Sequence, residues 1–345
     1  MIPTAAARPA PVVLAGVGHD FPGDPVTNRY FETEHPALGI DDAWIRRHTG
    51  VGARHWPPPG RHHVDMAERA ATLAMKDAHV TADDIDVIVA TTATARPRVN
   101  PTTAGNRYSD LALPLQKRLG ADRAFGFDVT GVACVGFLHA STVAQGLLSS
   151  LDVGTVLVVC AENPLPILNF RYRNAALFGG GAAAAVWRRQ DGPSGLDAVV
   201  LRSDAEHFDA FDIDDEDKMM MKGKVVGAIG AGFLAEASWE ALRRAGRGWD
   251  ELDWVIPHQG NINMINEVVG LLDPPRERVL VNIDRRGNTS SVSVPGCLSE
   301  NVHNGRVRRG DRILAMSVGR GFSWGAMIFH YGLPGERAER DIRAC

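Results

Sequence analysis

The chain has 345 residues, 45% of them apolar, and a formal net charge of -4, a size that exceeds one hydrophobic core and favours two lobes or a duplicated domain. No basic run is denser than Arg306-Val307-Arg308-Arg309, which excludes an electrostatic footprint for nucleic acid. Four cysteines, Cys134, Cys160, Cys297 and Cys345, are too few and too dispersed for a disulfide framework or a Cys-x-x-Cys metal site, so a reducing cytoplasm is expected.

Residues 1–10 lack a signal-peptide core, and no apolar run approaches membrane-spanning length, which predicts a soluble protein with no membrane partner. In chain order, residues 12–17 read as a strand, and Trp44 falls on a short amphipathic helix. Residues 85–91 form an apolar β-branched strand, 101–119 are helix-like, and 124–129 make a second strand leading to a small-residue helix that opens at Cys134. Strands follow at 155–160 and 182–187. Turn formers cluster at 188–195, and a boundary there divides the chain into residues 1–190 and 191–345. An irregular stretch, 203–224, is acidic from Asp204 to Asp217 and then reads Met219-Met220-Met221 before a helix over 225–244. The second half repeats the first: strand 252–257, helix 261–272, short strand 279–281, helix 289–303, and strands 312–318 and 324–331. This alternation predicts α/β architecture with parallel sheets buried between helices.

The most telling segment is Phe127-Asp128-Val129-Thr130-Gly131-Val132-Ala133-Cys134-Val135-Gly136-Phe137. A thiol after a strand and a Gly turn, at a helix start, is where N–H groups and the helix dipole favour thiolate, the form that attacks carbonyls. Pro257-His258-Gln259-Gly260-Asn261 and Gly287-Asn288-Thr289-Ser290-Ser291 supply partners. Ligands in open α/β sheets sit outside the carboxyl ends of strands, so Cys134, His258 and Asn288 are expected to meet in one crevice. No His spacing with a nearby carboxylate implies a metal.

These stretches, with Asp42-Ala43-Trp44-Ile45-Arg46-Arg47-His48-Thr49-Gly50-Val51 and Gly319-Arg320-Gly321-Phe322-Ser323-Trp324-Gly325, resemble the β-ketoacyl-ACP synthase III family of condensing enzymes on the thiolase fold. The resemblance covers most of the chain. It implies a duplicated, five-layered αβαβα homodimer without a resident cofactor. CoA or acyl-carrier-protein thioesters would enter as substrates along a pantetheine tunnel, with a malonyl carrier protein as partner. Cys134 would be the acylated nucleophile, and His258 and Asn288 would hold the thioester oxygen while malonyl loses CO₂. Backbone N–H groups of Cys134 and Arg320 would form the oxyanion hole, although Arg320 stands where the family usually has Gly. If that position needs positive φ, its geometry suffers.

The resemblance also implies substrate contacts at Trp44, His48, Asn261, Asn263 and Gly321. Trp44 would stack on the CoA adenine, but His48 and Asn263 replace family Arg residues at the entrance. In Phe178-Gly179-Gly180-Gly181-Ala182, relatives often carry Asp after the first Gly. These departures point away from housekeeping initiation towards natural-product biosynthesis, with a carrier protein as the preferred donor. The methionines at 219–221 are either part of a solvated loop or wall an acyl pocket.

Other readings compete. On the same fold, Cys134 could pass its acyl group to a hydroxyl or amine. Asn288 argues against this, because deprotonating an alcohol calls for a base oriented by a carboxylate. A synthase of the hydroxymethylglutaryl type needs a carboxylate base, and no Glu lies between Glu68 and Glu162. A papain-like hydrolase shares the Cys, His, Asn order but lacks its local signature. In a binding module, the trio would be idle.

Overall fold

The computed structural model describes residues 10–95 and 110–334. The first half runs β1 (Val12–Asp20), β2 (Val26–Thr27), α1 (Arg29–Glu34), α2 (Asp42–Thr49), β3 (Ala53–Arg54), α3 (His63–Asp77) and β4 (Val87–Thr91). Then come α4 (Ala112–Leu119), β5 (Phe125–Asp128), α5 (Gly136–Ser150), β6 (Thr155–Glu162) and β7 (Gly181–Arg189). The second half runs β8 (Leu196–Ser203), β9 (Phe211–Ile213), β10 (Met219–Met221), α6 (Gly223–Ala245), β11 (Trp254–Ile256) and α7 (Ile262–Leu272), followed by α8 (Ile283–Arg286), α9 (Ser293–His303), β12 (Arg312–Gly319) and β13 (Ser323–His330).

Two main sheets carry the molecule. Their orders are β1-β7-β6-β4-β5 and β8-β13-β12-β11. Reading β8 for β1, β13 for β7, β12 for β6 and β11 for β4 superposes the second order on the first. A parallel bridge between Val255 and Val279 stands where β5 stands in the first sheet.

Strand side chains alternate between layers. Val12, Leu14, Val87, Val89, Ile313 and Ala315 enter a central core shared with Phe137, Leu138 and Ala144 of α5 and Val294, Cys297 and Leu298 of α9. Val13, Ala15, Ile88 and Ala90 face α3 and α4 on one outside, while Leu314, Met316 and Ile328 face α6 and α7 on the other. Helices, sheet, helices, sheet, helices: this is the five-layered sandwich, and it explains why the strands read as continuous apolar runs.

Several expectations need correction. The sheets are mixed, because β7 is antiparallel to β1 and β6, and β13 to β12 and β8. The cause is connectivity. Neither β6–β7 nor β12–β13 is joined by an α-helical crossover, and without one a strand returns antiparallel. The helix expected over 101–119 is Ala112–Leu119, and 101–109 lie outside the described residues. The strand at 279–281 reduces to the single bridge. The irregular 203–224 segment contains the hairpin of β9 and β10.

Against the expectation of no membrane-length run, α6, with 23 residues, is long and apolar enough to cross a bilayer. Its Ala231, Leu234, Ala237, Ala241 and Leu242 instead pack on the outer face of the second sheet, as expected of a core helix in a large domain.

Candidate active site

Cys134 lies in a 3-10 turn, Ala133–Val135, that runs directly into α5. Gly131 (φ 86°) and Ala133 (φ 48°) both take left-handed backbone there, which for Ala costs about 1–3 kcal/mol. The opposite half clamps this turn. Ser317 Oγ of β12 donates to the Cys134 carbonyl at 2.8 Å. Gly319 lies so close that a Cβ would fall 2.3 Å from the Val132 carbonyl oxygen and 2.9 Å from the Cys134 nitrogen. Only a strand end without a side chain fits against the nucleophile.

The thiol is buried, and desolvation pushes it up to about 12; a Ser290 hydrogen bond pulls the other way, and the nearby Glu162 charge adds to the rise. The expected resting thiolate is therefore corrected to a thiol. In this enclosed site burial outweighs the lowering by the Ser290 hydrogen bond and by the Cys134 backbone N–H.

His258 follows β11, is 3% exposed, and burial brings it down to about 4, so its imidazole is neutral. Among the described residues its Nδ1 has no hydrogen-bond partner. Gln259 locks the strand end, with Nε2 donating to Pro257 O at 2.7 Å and Oε1 accepting from the Asn282 N–H at 3.0 Å. Gly260 is confined by the ring itself, since a Cβ there would lie 2.7 Å from both Cδ2 and Nε2 of His258.

Asn288 is pinned through its backbone: its N–H donates to Leu177 O at 2.8 Å and its carbonyl accepts from the Gly179 N–H at 2.9 Å. Its Oδ1 accepts from the Ser290 N–H at 2.8 Å. With the oxygen committed, the amide presents Nδ2, a donor, as its remaining end.

Two cavities meet at the sulfur-bearing residue. One, of about 230 Å³, is lined by Cys134, His258 and Asn288 together with Met221, Gly260, Asn261, Asn263 and Val318. The other, of about 450 Å³, is lined by Cys134, Glu162, Ile167, Phe178, Met219 and Arg320 among others. The three side chains singled out in the sequence thus share one wall.

Comparison with known proteins gives this arrangement a family. Models of 3-oxoacyl-[acyl-carrier-protein] synthase III match residues 127–205, and of its C-terminal part residues 242–331. The β-ketoacyl-[acyl-carrier-protein] synthase III of Ruegeria sp. (strain TM1040) is 34% identical over 92% of this chain and 98% of its own. The chain belongs to the β-ketoacyl-[acyl-carrier-protein] synthase III family. The solved synthase III from Aquifex aeolicus VF5 is similar at 30% identity with TM-score 0.85, over 93% of this chain and 100% of that one. The priming β-ketosynthase of the R1128 polyketide pathway is similar at 29% with TM-score 0.84, over 96% and 100%. The protein is accordingly a condensing acyltransferase of thiolase-like fold.

Within this synthase III framework the expected entrance residues are differently employed. Trp44 stacks on His48, with ring centroids 4.2 Å apart and planes 20° from parallel, and the Arg173 guanidinium lies 5.3 Å from the Trp44 ring centre. One face of the expected adenine platform is therefore covered by His48. Asn261 and Asn263 line the smaller cavity, yet both amides donate to His48 O at 3.0 Å, fastening α2 to the start of α7. Gly321 lines neither cavity. Positive φ in the 319–322 turn falls on Gly321 (134°) and not on Arg320, so Arg320 carries no left-handed strain.

Glu162 was missed. It is fully buried beside Cys134 and accepts from Thr94 Oγ1 at 2.8 Å, Ser291 Oγ at 2.6 Å and the Ala93 N–H. Burial raises its pKa against these donors. It joins the 92–95 loop to the turn after Asn288, and its place at the end of a strand, in the same crevice as Cys134, was the available signal.

Proposed function

We propose that Cys134 takes an acyl group from a CoA or acyl-carrier-protein thioester and condenses it with a malonyl thioester, releasing CO₂. The observation that carries this reading is the position of Cys134 between two cavities. The larger one holds the acyl chain, and the smaller one, with His258 and Asn288, receives the thioester end of each substrate.

With the thiol near 12 and the imidazole near 4, proton transfer between them is uphill in the empty site. Attack therefore waits until the thioester oxygen is held by N–H donors, from Cys134 and from the 319–322 turn where Arg320 lies. The thiol proton passes by way of His258 to the departing CoA or carrier thiolate. In the second half-reaction the C–C bond to the malonyl carboxylate breaks and its electron pair runs to the thioester oxygen. Neutral His258 and Asn288 Nδ2 donate to that oxygen. The enolate carbon then attacks the acyl carbon, and Cys134 leaves as a thiolate that takes a proton from solvent, replacing the one carried off by the first leaving thiol.

The substitutions at His48, Asn263, Gly180 and Arg320 support a role in natural-product biosynthesis, with a carrier protein as the preferred donor. The sheet edge at β5, where Phe125 is exposed, supports a homodimer, and we place the enzyme in the cytoplasm. Incubation with a panel of acyl-CoA and acyl-carrier thioesters, followed by a malonyl-carrier, alcohol or amine chase, tests the scheme. A mass adduct on Cys134 and a β-keto product are expected. An ester or amide formed without CO₂ would make the enzyme a heteroatom acyltransferase instead.

A further inference from the structure

Arg320 occupies the short link between β12 and β13 and lines the larger cavity together with Phe211. It is absent from the lining of the smaller cavity that contains His258 and Asn288, so it faces the acyl group and not the extender. Nε donates to Phe211 O of β9 at 3.2 Å. Among the described residues its other guanidinium N–H groups make no hydrogen bond or ion pair.

Two acids share that cavity. Glu162 directs its oxygens at Thr94, Ser291 and the Ala93 N–H, and Asp212 is solvent-exposed. Neither pairs with Arg320. The rest of the wall is mixed: Ile167, Phe178, Phe211, Ile213 and Met219 are apolar, while Thr92, Thr94, Thr130 and Ser290 bring hydroxyls but no charge. A guanidinium offers five donors and no acceptor. A hydrocarbon chain filling this space would strip water from those N–H groups and return nothing, whereas an oxygen on the chain would pair with them.

We propose that the acyl group delivered to Cys134 carries an acceptor oxygen beyond its thioester, as a carbonyl, hydroxyl or carboxylate, and that Arg320 binds it. The inference rests on the reading that Cys134 is acylated and that the larger cavity holds the chain. Arg320 is then a specificity residue through its side chain, separate from the part its backbone N–H takes in the oxyanion hole.

The test compares initial rates of Cys134 adduct formation, by intact mass, for CoA thioesters matched in length: butyryl against 3-hydroxybutyryl and succinyl, hexanoyl against 3-oxohexanoyl and adipoyl. Wild type favours at least one oxygenated class over its hydrocarbon partner by about ten- to a hundredfold, and the class favoured identifies the oxygen. Arg320→Leu removes or inverts that ratio, and Arg320→Lys keeps part of it. Ratios are compared because both members of a pair use the same backbone donors, so a change at the oxyanion hole cancels. A hydrocarbon preference in wild type, or a ratio unmoved by a folded Arg320→Leu protein, overturns the proposal. The wild-type ratio decides if neither variant folds. No adduct from any thioester overturns instead the assignment of Cys134 as acyl acceptor.

Discussion

Cys134 and His258 are held uncharged by the same cause, removal from water, which disfavours thiolate and imidazolium alike. Since the thiol sits near 12, iodoacetamide labelling of Cys134 is expected to keep rising about tenfold per pH unit through pH 10. A plateau below pH 8 would show a resting thiolate. His258 has the converse signature. Its folded value near 4 lies below the ordinary 6.5, so the unfolded chain binds the extra proton and stability is lost as pH falls from about 6.5 towards 4. His258→Gln is expected to shallow that acid limb by up to about 3 kcal/mol, read by urea unfolding at pH 7 and pH 4.5; equal losses in both proteins would contradict it. The sequence announced Cys134, His258 and Asn288 because each sits in a distinctive local string. It could not announce that His48 covers Trp44, or that Glu162 raises the thiol. Those depend on contacts between segments far apart in the chain.

At the scale of elements, the nucleophile turn belongs to α5 by sequence but is held by β12. Gly319→Ala puts a Cβ 2.3 Å from the Val132 carbonyl oxygen, and backbone cannot yield as a flexible side chain would. A destabilisation of about 1–3 kcal/mol, with acylation slowed more than stability alone explains, is expected from thermal melts and adduct rates. Ser317→Ala deletes the 2.8 Å bond to the Cys134 carbonyl and is expected to cost about 1 kcal/mol. Wild-type acylation by Gly319→Ala would show that β12 does not position the thiol. The strand and helix order was legible because apolar runs such as Val156, Leu157, Val158 and Val159 are buried on both faces. Strand direction was not, because alternation looks the same either way. The β9–β10 hairpin hid in an acidic stretch whose Phe211, Ile213 and Met219 line the cavity together with the exposed Asp212, while Met220 is exposed and lies outside it.

For the whole molecule, the central layer of α5 and α9 is common property: the core around it draws Val12 and Val87 from one sheet and Ile313 and Phe329 from the other. Neither half keeps that face covered alone, so the halves are expected to unfold in one cooperative transition despite the chain length. Coincident urea curves from near-ultraviolet circular dichroism and from Cys134 labelling would show it, and two separated transitions would argue for independent lobes. The repeated pattern of strands and helices made the two-sheet plan readable. The cavities were not, being walled by residues from both halves.

The pinned amide of Asn288 bears most directly on carbon–carbon bond formation. Asn288→Asp retains an oxygen for the Ser290 N–H and replaces the donor end with a second acceptor. Release of labelled CO₂ from carboxyl-labelled malonyl-carrier, measured on enzyme already acylated at Cys134, is predicted to fall about 10²–10³-fold in this variant while acylation proceeds. Undiminished CO₂ release would contradict enolate stabilisation at this site.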